Sequence, residues 1–540
     1  MVISKKQERY YWFIFALAIY CMLIQNWGIA YWDQDESAYA GFAHTFIESG
    51  NWVVPDFMWS EAHRKPPLHF WNIALSFKLF GVNEFAIRIP SVLAIIGTLL
   101  LIKFMGKNLF GKAVADMAMV IASTSILVIA LAKISVTDST LLFFETLAVL
   151  SLFNFIQSKS LWYLLFFVLG IAGGTLTKGP PVLILTYGIL GILFLFKAYR
   201  LQTLLLFFIS LIGLLPIYLW GKMAWDSDGG IFISWMIDWY ILKRGNGVFG
   251  QTGPPGYFLL IFLGGLFAFS SFLILGLKDR LSSFFNKEKR NETTILLVAW
   301  LCGGWFVYEL ITSKLPAYAI GALPAVAILI ADQIVNSRYT SHSIKWQKFA
   351  KGTQLFFTLL IGMALLVAAF WFLNGMATIL AIVAGLFTLG MGIYSYRIHN
   401  KSFLILCSLL LLPSVFAWTY IVPSVEDQRS TTKIAAQYII EEYNSNQEVI
   451  FTRNFSLPSF PMYLATSHFH CKEIVYWELT KDCFANNEII IFDEEGYTHF
   501  RKYTTDLSDA ELKVHKIEGL VPDRGNSTHY YIVSSRKTKE

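Results

Sequence analysis

What most confines this chain is a succession of apolar runs of about 17 to 23 residues, each long enough to carry an α-helix across roughly 30 Å of hydrocarbon. About thirteen can be drawn, at 10–30, 85–105, 113–132, 138–157, 161–177, 180–197, 201–220, 256–277, 293–313, 316–335, 353–373, 376–394 and 402–422. Of the 540 residues, 55% are hydrophobic and only 15% charged, with a mean hydropathy of +0.53. Soluble domains carry about a quarter charged residues. The expectation is an α-helical polytopic membrane protein with about thirteen transmembrane helices. The net charge of +6 does not point to nucleic acid, because the basic residues collect in short loops between the runs. No cleavable signal is expected: the run 10–30 can itself span, and no small-residue cleavage site follows it.

Orientation follows from where Lys and Arg sit. Lys5, Lys6 and Arg9 precede the first run, and Lys103, Lys107 and Lys112 lie between the second and third. Lys197 with Arg200, the cluster 278–290, the cluster 338–351 and Arg397 with Lys401 continue the series. With thirteen spans all these clusters fall on one side. The N-terminus is therefore expected in the cytoplasm, and the first loop and the tail 423–540 outside. That placement implies a bacterial inner membrane protein whose tail is periplasmic.

Two outside loops are long. The first, 31–84, is crowded with aromatics, and 36–49 and 67–80 within it read as interfacial helices. The second, 221–255, contains W-D-S-D-G-G and G-N-G-V-F-G-Q-T-G-P-P-G, and that much Gly and Pro reads equally well as a mobile loop over a lipid site or as a plain connector. Residues 1–422 are thus expected to form the membrane domain and 423–540 a small soluble α/β domain. In the latter, R-S-T-T-K-I-A-A-Q-Y-I-I-E-E-Y has helical period, while E-V-I-F-T, E-I-V-Y-W, N-E-I-I-I-F-D and H-Y-Y-I-V-S-S read as strands. Cys21, Cys302 and Cys407 lie in apolar runs and read as packing residues. Cys471 and Cys483 share the tail and can bridge in an oxidising compartment. His468, His470 and Cys471 on one short stretch read more readily as incidental neighbours than as metal ligands.

Ionisable residues at the edge of a span are costly, so each is a functional candidate. Asp35 and Glu36 follow the first run, and Lys65 stands in R-K-P-P. Asp138 opens the fourth run, Lys178 closes the fifth in L-T-K-G-P-P, and T-S-K-L-P-A-Y carries Lys314 and Tyr318. The topology above places all of them at the outer face. Any one alone reads equally well as a helix-end residue snorkelling to the interface or as an interhelical ion pair. Together they set cations opposite carboxylates where Lys is otherwise scarce. Lys65, Lys178 and Lys314 suit a phosphate or pyrophosphate, and a nearby aspartate stays ionised and can take a proton.

D-E-S-A-Y-A, S-G-N-W-V-V-P, R-K-P-P-L, F-G-V-N-E-F-A-I-R-I-P-S, T-D-S-T-L, T-K-G-P and S-K-L-P-A-Y occur in this order within 31–335. This order resembles the GT-C fold glycosyltransferases that use polyprenyl-phosphate donors. It lies closest to the aminoarabinose lipid A transferases and is related to the protein O-mannosyltransferases. The resemblance implies an inverting transfer of a sugar from a polyprenyl-phosphate carrier to an acceptor outside the membrane, a lipid such as lipid A or a protein. It implies Asp35 as the essential first-loop aspartate with Glu36 beside it, and Asp138 as the second important aspartate. It also implies Lys65 and Tyr318 at the carrier phosphate, with Tyr39 in the tyrosine position of the family's D-E-x-R-Y pattern. The arginine of that pattern is Ala38 here, which leaves Arg244 as the candidate for the missing phosphate contact. The acidic residue that precedes the loop lysine in the family, implicated in zinc binding, is Arg64 here. Glu61 and His63 are then the residues left to hold a divalent metal.

Two other classes fit many spans and membrane carboxylates. A flippase or transporter of lipid-linked sugars is one, but the chain shows no internal repeat, and its charged sites gather on one side instead of at mid-depth. A glycan polymerase or ligase is the other, and it lacks this motif order. The motifs do not choose the sugar or the acceptor.

Overall fold

A computed structural model describes the chain except for residues 1–4, 244–251, 337, 374, 398–402, 424–430, 453–456, 475–487, 504–511, 522–525 and 536–540. Every predicted apolar run contains helix, although 10–30 is helical only to Leu23, 293–313 only to Glu309 and 316–335 only from Ile320. Among the described residues six helices are long and apolar enough to cross a membrane, at 84–110, 137–158, 161–178, 200–228, 344–371 and 376–397. The number becomes eight if two bent pairs each count as one span, and the helices 181–194, 320–335 and 405–421 are apolar but shorter. The chain is a multi-pass membrane protein.

The bent pairs are 112–124 with 126–133, at 58°, and 257–265 with 267–285, at 98°. They meet at their breaks. Ser125, the residue between the first two helices, donates its hydroxyl to the Gly265 carbonyl at 3.2 Å. A kink frees backbone carbonyls, and in a lipid environment each must find a donor. The run 293–313 is also irregular: the helix Glu292–Leu301 continues as a π-helical turn, Cys302–Phe306. There Gly303 meets Gly188 of the helix Pro181–Phe194, and a Cβ on Gly188 would lie 2.7 Å from the Gly303 Cα. Small residues let the two backbones touch.

The first loop holds the predicted helices, Asp35–Ser49 and Leu68–Phe80. They differ in setting. Tyr39, Phe42 and Phe46 of the first are buried against Phe70, Ile73 and Phe77 of the second, so Asp35–Ser49 is an internal helix. Leu68–Phe80 leaves Leu75, Leu79 and Phe80 exposed and keeps an apolar outer face. The segment expected as a loop at 221–255 is helical over Leu215–Asp228 and Ile231–Ile237, with a π-helical stretch at Asp238–Lys243. Gly229 and Gly230, at φ 70° and 86°, supply the turn between those two helices.

The tail builds a five-stranded sheet in the order β2-β1-β3-β5-β4, with β1 Glu448–Thr452, β2 His470–Ile474, β3 Ile489–Phe492, β4 Leu512–Val521 and β5 Asn526–Ser535. β1 runs parallel to β2 and β3, and β5 antiparallel to β3 and β4. The helix Thr431–Glu442 packs on it through Ala435, Ala436 and Ile439. β4 was not expected, because both of its faces carry polar residues, Lys513 and His515 on one and Lys516 and Glu518 on the other, which dilutes the apolar signal. β2 opens three residues earlier than E-I-V-Y-W suggests, and 475–487, with Cys483, lie outside the described residues.

Candidate active site

The site begins at Gln34, the residue before the helix Asp35–Ser49, which is held at φ 72°, ψ −95°. Few non-glycine residues adopt such a backbone, and it turns the chain abruptly into the helix. Asp35 and Tyr39 then share a helix face four residues apart, and the Tyr39 hydroxyl donates to Asp35 Oδ1 at 2.8 Å. The same oxygen faces His63 Nδ1 at 3.3 Å and Lys65 Nζ at 3.4 Å. Lys65 also donates to the Tyr39 hydroxyl, and its ammonium lies 4.8 Å from the Tyr39 ring centre and 5.7 Å from that of Tyr240. Pro66 and Pro67 fix the backbone after Lys65 and lead it into Leu68–Phe80.

Electrostatics keep Asp35 charged. Desolvation by the surrounding protein works to raise its pKa although the side chain is half-exposed, but the Lys65 charge, the His63 ring and the Tyr39 hydroxyl together hold it well below the ordinary value. Burial, reinforced by the Asp35 charge, holds the Tyr39 phenol far above its own, so Tyr39 remains a donor. His69 is fully buried one turn beyond Lys65, with its ring nitrogens at Thr140 Oγ1 (2.9 Å) and Ser135 Oγ (3.2 Å). Burial, then the Lys65 charge, pushes its pKa down to about 3, so the ring is neutral.

Lys65 also lines a cavity of about 250 Å³ together with Asp138, Glu145, Lys178, Tyr240, Tyr308 and Tyr318. Pro180, Pro181, Ile184, Ile311 and Ile320 make the rest of its wall largely apolar. Asp138 lies in the first turn of the helix Thr137–Ser158 and Lys178 ends the next one, Leu161–Lys178. The two helices pack as a consecutive pair, which brings these ends together, and each charge complements its helix dipole. Lys178 Nζ donates to Asp138 Oδ1 at 2.7 Å. Gly179, at φ 79°, stops the second helix and Pro180–Pro181 open the following one.

Glu145, two turns below Asp138, was not anticipated. It is 3% exposed, packs on Gly321, and its Oε2 meets no hydrogen-bond partner among the described residues. A second carboxylate in the apolar run 138–157, seven residues past Asp138, was the available signal. Tyr240 and Tyr308 carried none, since tyrosines are common at membrane boundaries.

Two expected site residues sit elsewhere. Glu36 does not reach the cavity: it is fully buried and faces Arg88, whose Nε and Nη2 donate to its two oxygens at 3.0 and 2.8 Å. The backbone amides of Ser135 and Trp32 occupy the same carboxylate at 2.8 and 2.9 Å, so all four of its acceptor positions are filled. Arg88 further binds the carbonyls of Asn26, Ile29 and Ala30, which makes the pair the anchor of the loop. Lys314 is 5% exposed and ties Glu309 Oε2 (3.2 Å) to the Pro254 carbonyl (3.1 Å), outside the cavity lining. Arg244 lies outside the described residues. Of the two residues left for a metal, His63 sits on Asp35, while Glu61 is exposed in the short helical turn Glu61–His63. Arg64 pairs with Asp56. Among the described residues no three His, Cys, Asp or Glu gather as a ligand set, His468, His470 and Cys471 included.

The family model for dolichyl-phosphate-mannose-protein mannosyltransferases matches residues 64–220, the stretch that carries Lys65, Asp138, Glu145 and Lys178. A protein of Aquifex aeolicus (strain VF5) is 27% identical over 319 residues, covering 57% of this chain and 60% of its own. The undecaprenyl phosphate-alpha-4-amino-4-deoxy-L-arabinose arabinosyl transferase of Erwinia tasmaniensis is 26% identical over 325 residues, covering 56% and 55%. The chain thus spans somewhat over half the length of these relatives. Among solved structures, ArnT from Cupriavidus metallidurans bound to undecaprenyl phosphate superposes with a TM-score of 0.72 at 15% identity, over 97% of this chain and 98% of that one. The Archaeoglobus fulgidus oligosaccharyltransferase in the apo form gives a TM-score of 0.52 at 10% identity, over 98% and 75%. With the helices, the first loop and the terminal sheet matched almost end to end, the chain has the GT-C fold that it shares with ArnT.

Proposed function

We propose that this chain is an inverting membrane glycosyltransferase that moves a sugar from a polyprenyl-phosphate carrier to a lipid acceptor outside the cytoplasmic membrane. One observation carries the reading: Lys65 both touches Asp35 and lines the cavity that holds the Asp138–Lys178 pair and Tyr318. A base and a phosphate site are thereby joined through one ammonium group. The kinship with undecaprenyl-phosphate arabinosyl transferases, and the lipid phosphate bound in ArnT, supply the donor class. A protein acceptor is the second reading, favoured by the mannosyltransferase family match over 64–220.

In this mechanism the donor phosphodiester enters the cavity, with its prenyl chain along the apolar wall of Ile184, Ile311 and Ile320. Lys65 and Lys178 neutralise the charge that grows on the phosphate as the bond to the anomeric carbon breaks, and the Tyr318 hydroxyl binds the same group. Asp138 holds Lys178 in place. Asp35 Oδ1 is engaged by Tyr39, His63 and Lys65, which leaves Oδ2 to accept the proton of an incoming hydroxyl. An acceptor phosphate would need no base, and Asp35 would then orient the reactants. The orientation that serves this chemistry has the N-terminus in the cytoplasm and the loop, the cavity and the residues from 423 in the periplasm.

The test is turnover of an undecaprenyl-phosphate sugar by the full chain in detergent, where transport has no meaning. Asp35→Asn and Lys65→Ala should each abolish transfer without loss of expression. Near-wild-type turnover in either variant would refute the assigned site.

A further inference from the structure

Among the described residues, the sheet domain holds the first loop at two places that matter here, one just before Asp35 and one just before Lys65. The first point is Tyr463, on the helix Ser459–Ala465. Its hydroxyl oxygen accepts the Tyr31 amide at 2.9 Å and donates to Glu84 Oε1 at 3.4 Å, while its ring stacks on Tyr31 with centres 4.9 Å apart. Lys433, from the helix Thr431–Glu442, reaches the same Glu84 oxygen at 2.8 Å. Met462 is fully buried among Ala38, Tyr39, Phe42 and Phe70, the cluster that carries Asp35's own helix. The second point is the segment before Lys65. Met58 and Trp59 pack on the sheet core, and the Trp59 ring meets Phe451 of β1 edge-on at 5.1 Å. Trp59 holds φ 56°, a left-handed conformation rare for a bulky residue.

Tyr31 stands four residues before Asp35 and Trp59 six before Lys65. The soluble domain therefore grips both arms of the loop whose two charged groups meet at 3.4 Å. Simple burial of apolar surface would not require the Tyr463 hydroxyl, which ties the backbone at Tyr31 to Glu84 at the start of the helix Glu84–Phe104. We propose that the C-terminal domain is a positioning element for the active site, with Tyr463 and Lys433 as the residues that set the separation of Asp35 from Lys65. Its catalytic consequence rests on the transferase reading; the mechanical coupling does not.

The experiment uses the full chain in detergent with an undecaprenyl-phosphate sugar and, in parallel, hydrogen exchange read by mass spectrometry. Tyr463→Phe keeps the stacking and removes the hydroxyl, so kcat should fall roughly fivefold to tenfold, the effect of losing the bond from the Tyr31 amide and the longer one to Glu84, with KM for the donor little changed. Tyr463→Ala and Lys433→Met should fall at least as far. Amide exchange should rise at 31–36 and stay constant in the helices 137–158 and 161–178. Unchanged kcat in Tyr463→Phe and Tyr463→Ala, or exchange at 31–36 equal to wild type, overturns the proposal, and a uniform rise over the membrane helices reduces these residues to general stability. A wild type that turns over no donor while the variants loosen 31–36 overturns the transferase reading and leaves the coupling standing.

Discussion

Arg88 and Glu36, 52 positions apart, form a paired-oxygen ion contact with both side chains buried, 2.8 Å at its shorter arm. The guanidinium also collects three carbonyls from 26–30, so one residue joins the exit of the first helix, the start of Asp35–Ser49 and the helix Glu84–Phe104. Removing one partner strands a charge. Glu36→Gln or Arg88→Met should cost about 3–5 kcal/mol and lower the yield of folded protein. Detergent-resistant unfolding monitored by size exclusion and thermal scanning would check this. A Glu36→Gln protein that is stable but inactive would return Glu36 to the catalytic set.

Asp138 and Lys178 should behave as one unit. Asp138→Asn and Lys178→Met are each expected to lower kcat/KM, and the double variant should fall short of the product of the two losses. A coupling of about 1 kcal/mol or more, near fivefold in rate, is the expected range for a partly buried hydrogen-bonded ion pair. Strict additivity in the double-mutant cycle would show that the two residues act on separate steps.

The low pKa of Asp35 has a sign that can be followed. A carboxylate depressed in the folded state contributes stability that is present above its unfolded value of about 3.9 and is lost as pH falls through the lower folded value. Transfer should therefore show no acid limb from Asp35 across about pH 5 to 8. His63→Ala removes one of the groups that hold the pKa down, so the acid limb should move upward in pH. A kcat/KM profile of that variant beside wild type decides the point.

His69 predicts a separate acid sensitivity. It is neutral when folded, with a pKa of about 3, and an unfolded histidine titrates near 6.5. Its contribution is full above about pH 6.5 and declines as pH falls toward the folded value. His69→Gln should flatten the pH dependence of stability over that window. Equal slopes for the two proteins between about pH 6.5 and 4 would contradict the burial argument.

Legibility in the sequence divided along physical lines. Apolar helices announce themselves by composition, and each of the thirteen runs contains helix, but the length and bending of each helix depend on its neighbours, so six to eight are long enough to span among the described residues. Bends at Ser125 and Leu266 went unseen, since neither carries a proline and both depend on a tertiary hydrogen bond or close packing. Asp35, Lys65, Asp138 and Lys178 stood out as charges at span edges. Glu36 and Lys314 stood out for the same reason, yet their partners, Arg88 and Glu309, lie inside apolar runs where no local pattern marks a pairing. Charge at a boundary is visible in one dimension; what neutralises it is a property of three.

Gln34 leaves a practical legacy for anyone who engineers this chain. Its φ of 72° and ψ of −95° aim the following carboxylate through the main chain, not through a choice of rotamer. Glycine would accept those angles and add slack, whereas a β-branched side chain would resist them by about 1–3 kcal/mol. Reactivity at position 35 can thus be tuned from position 34, through the backbone alone.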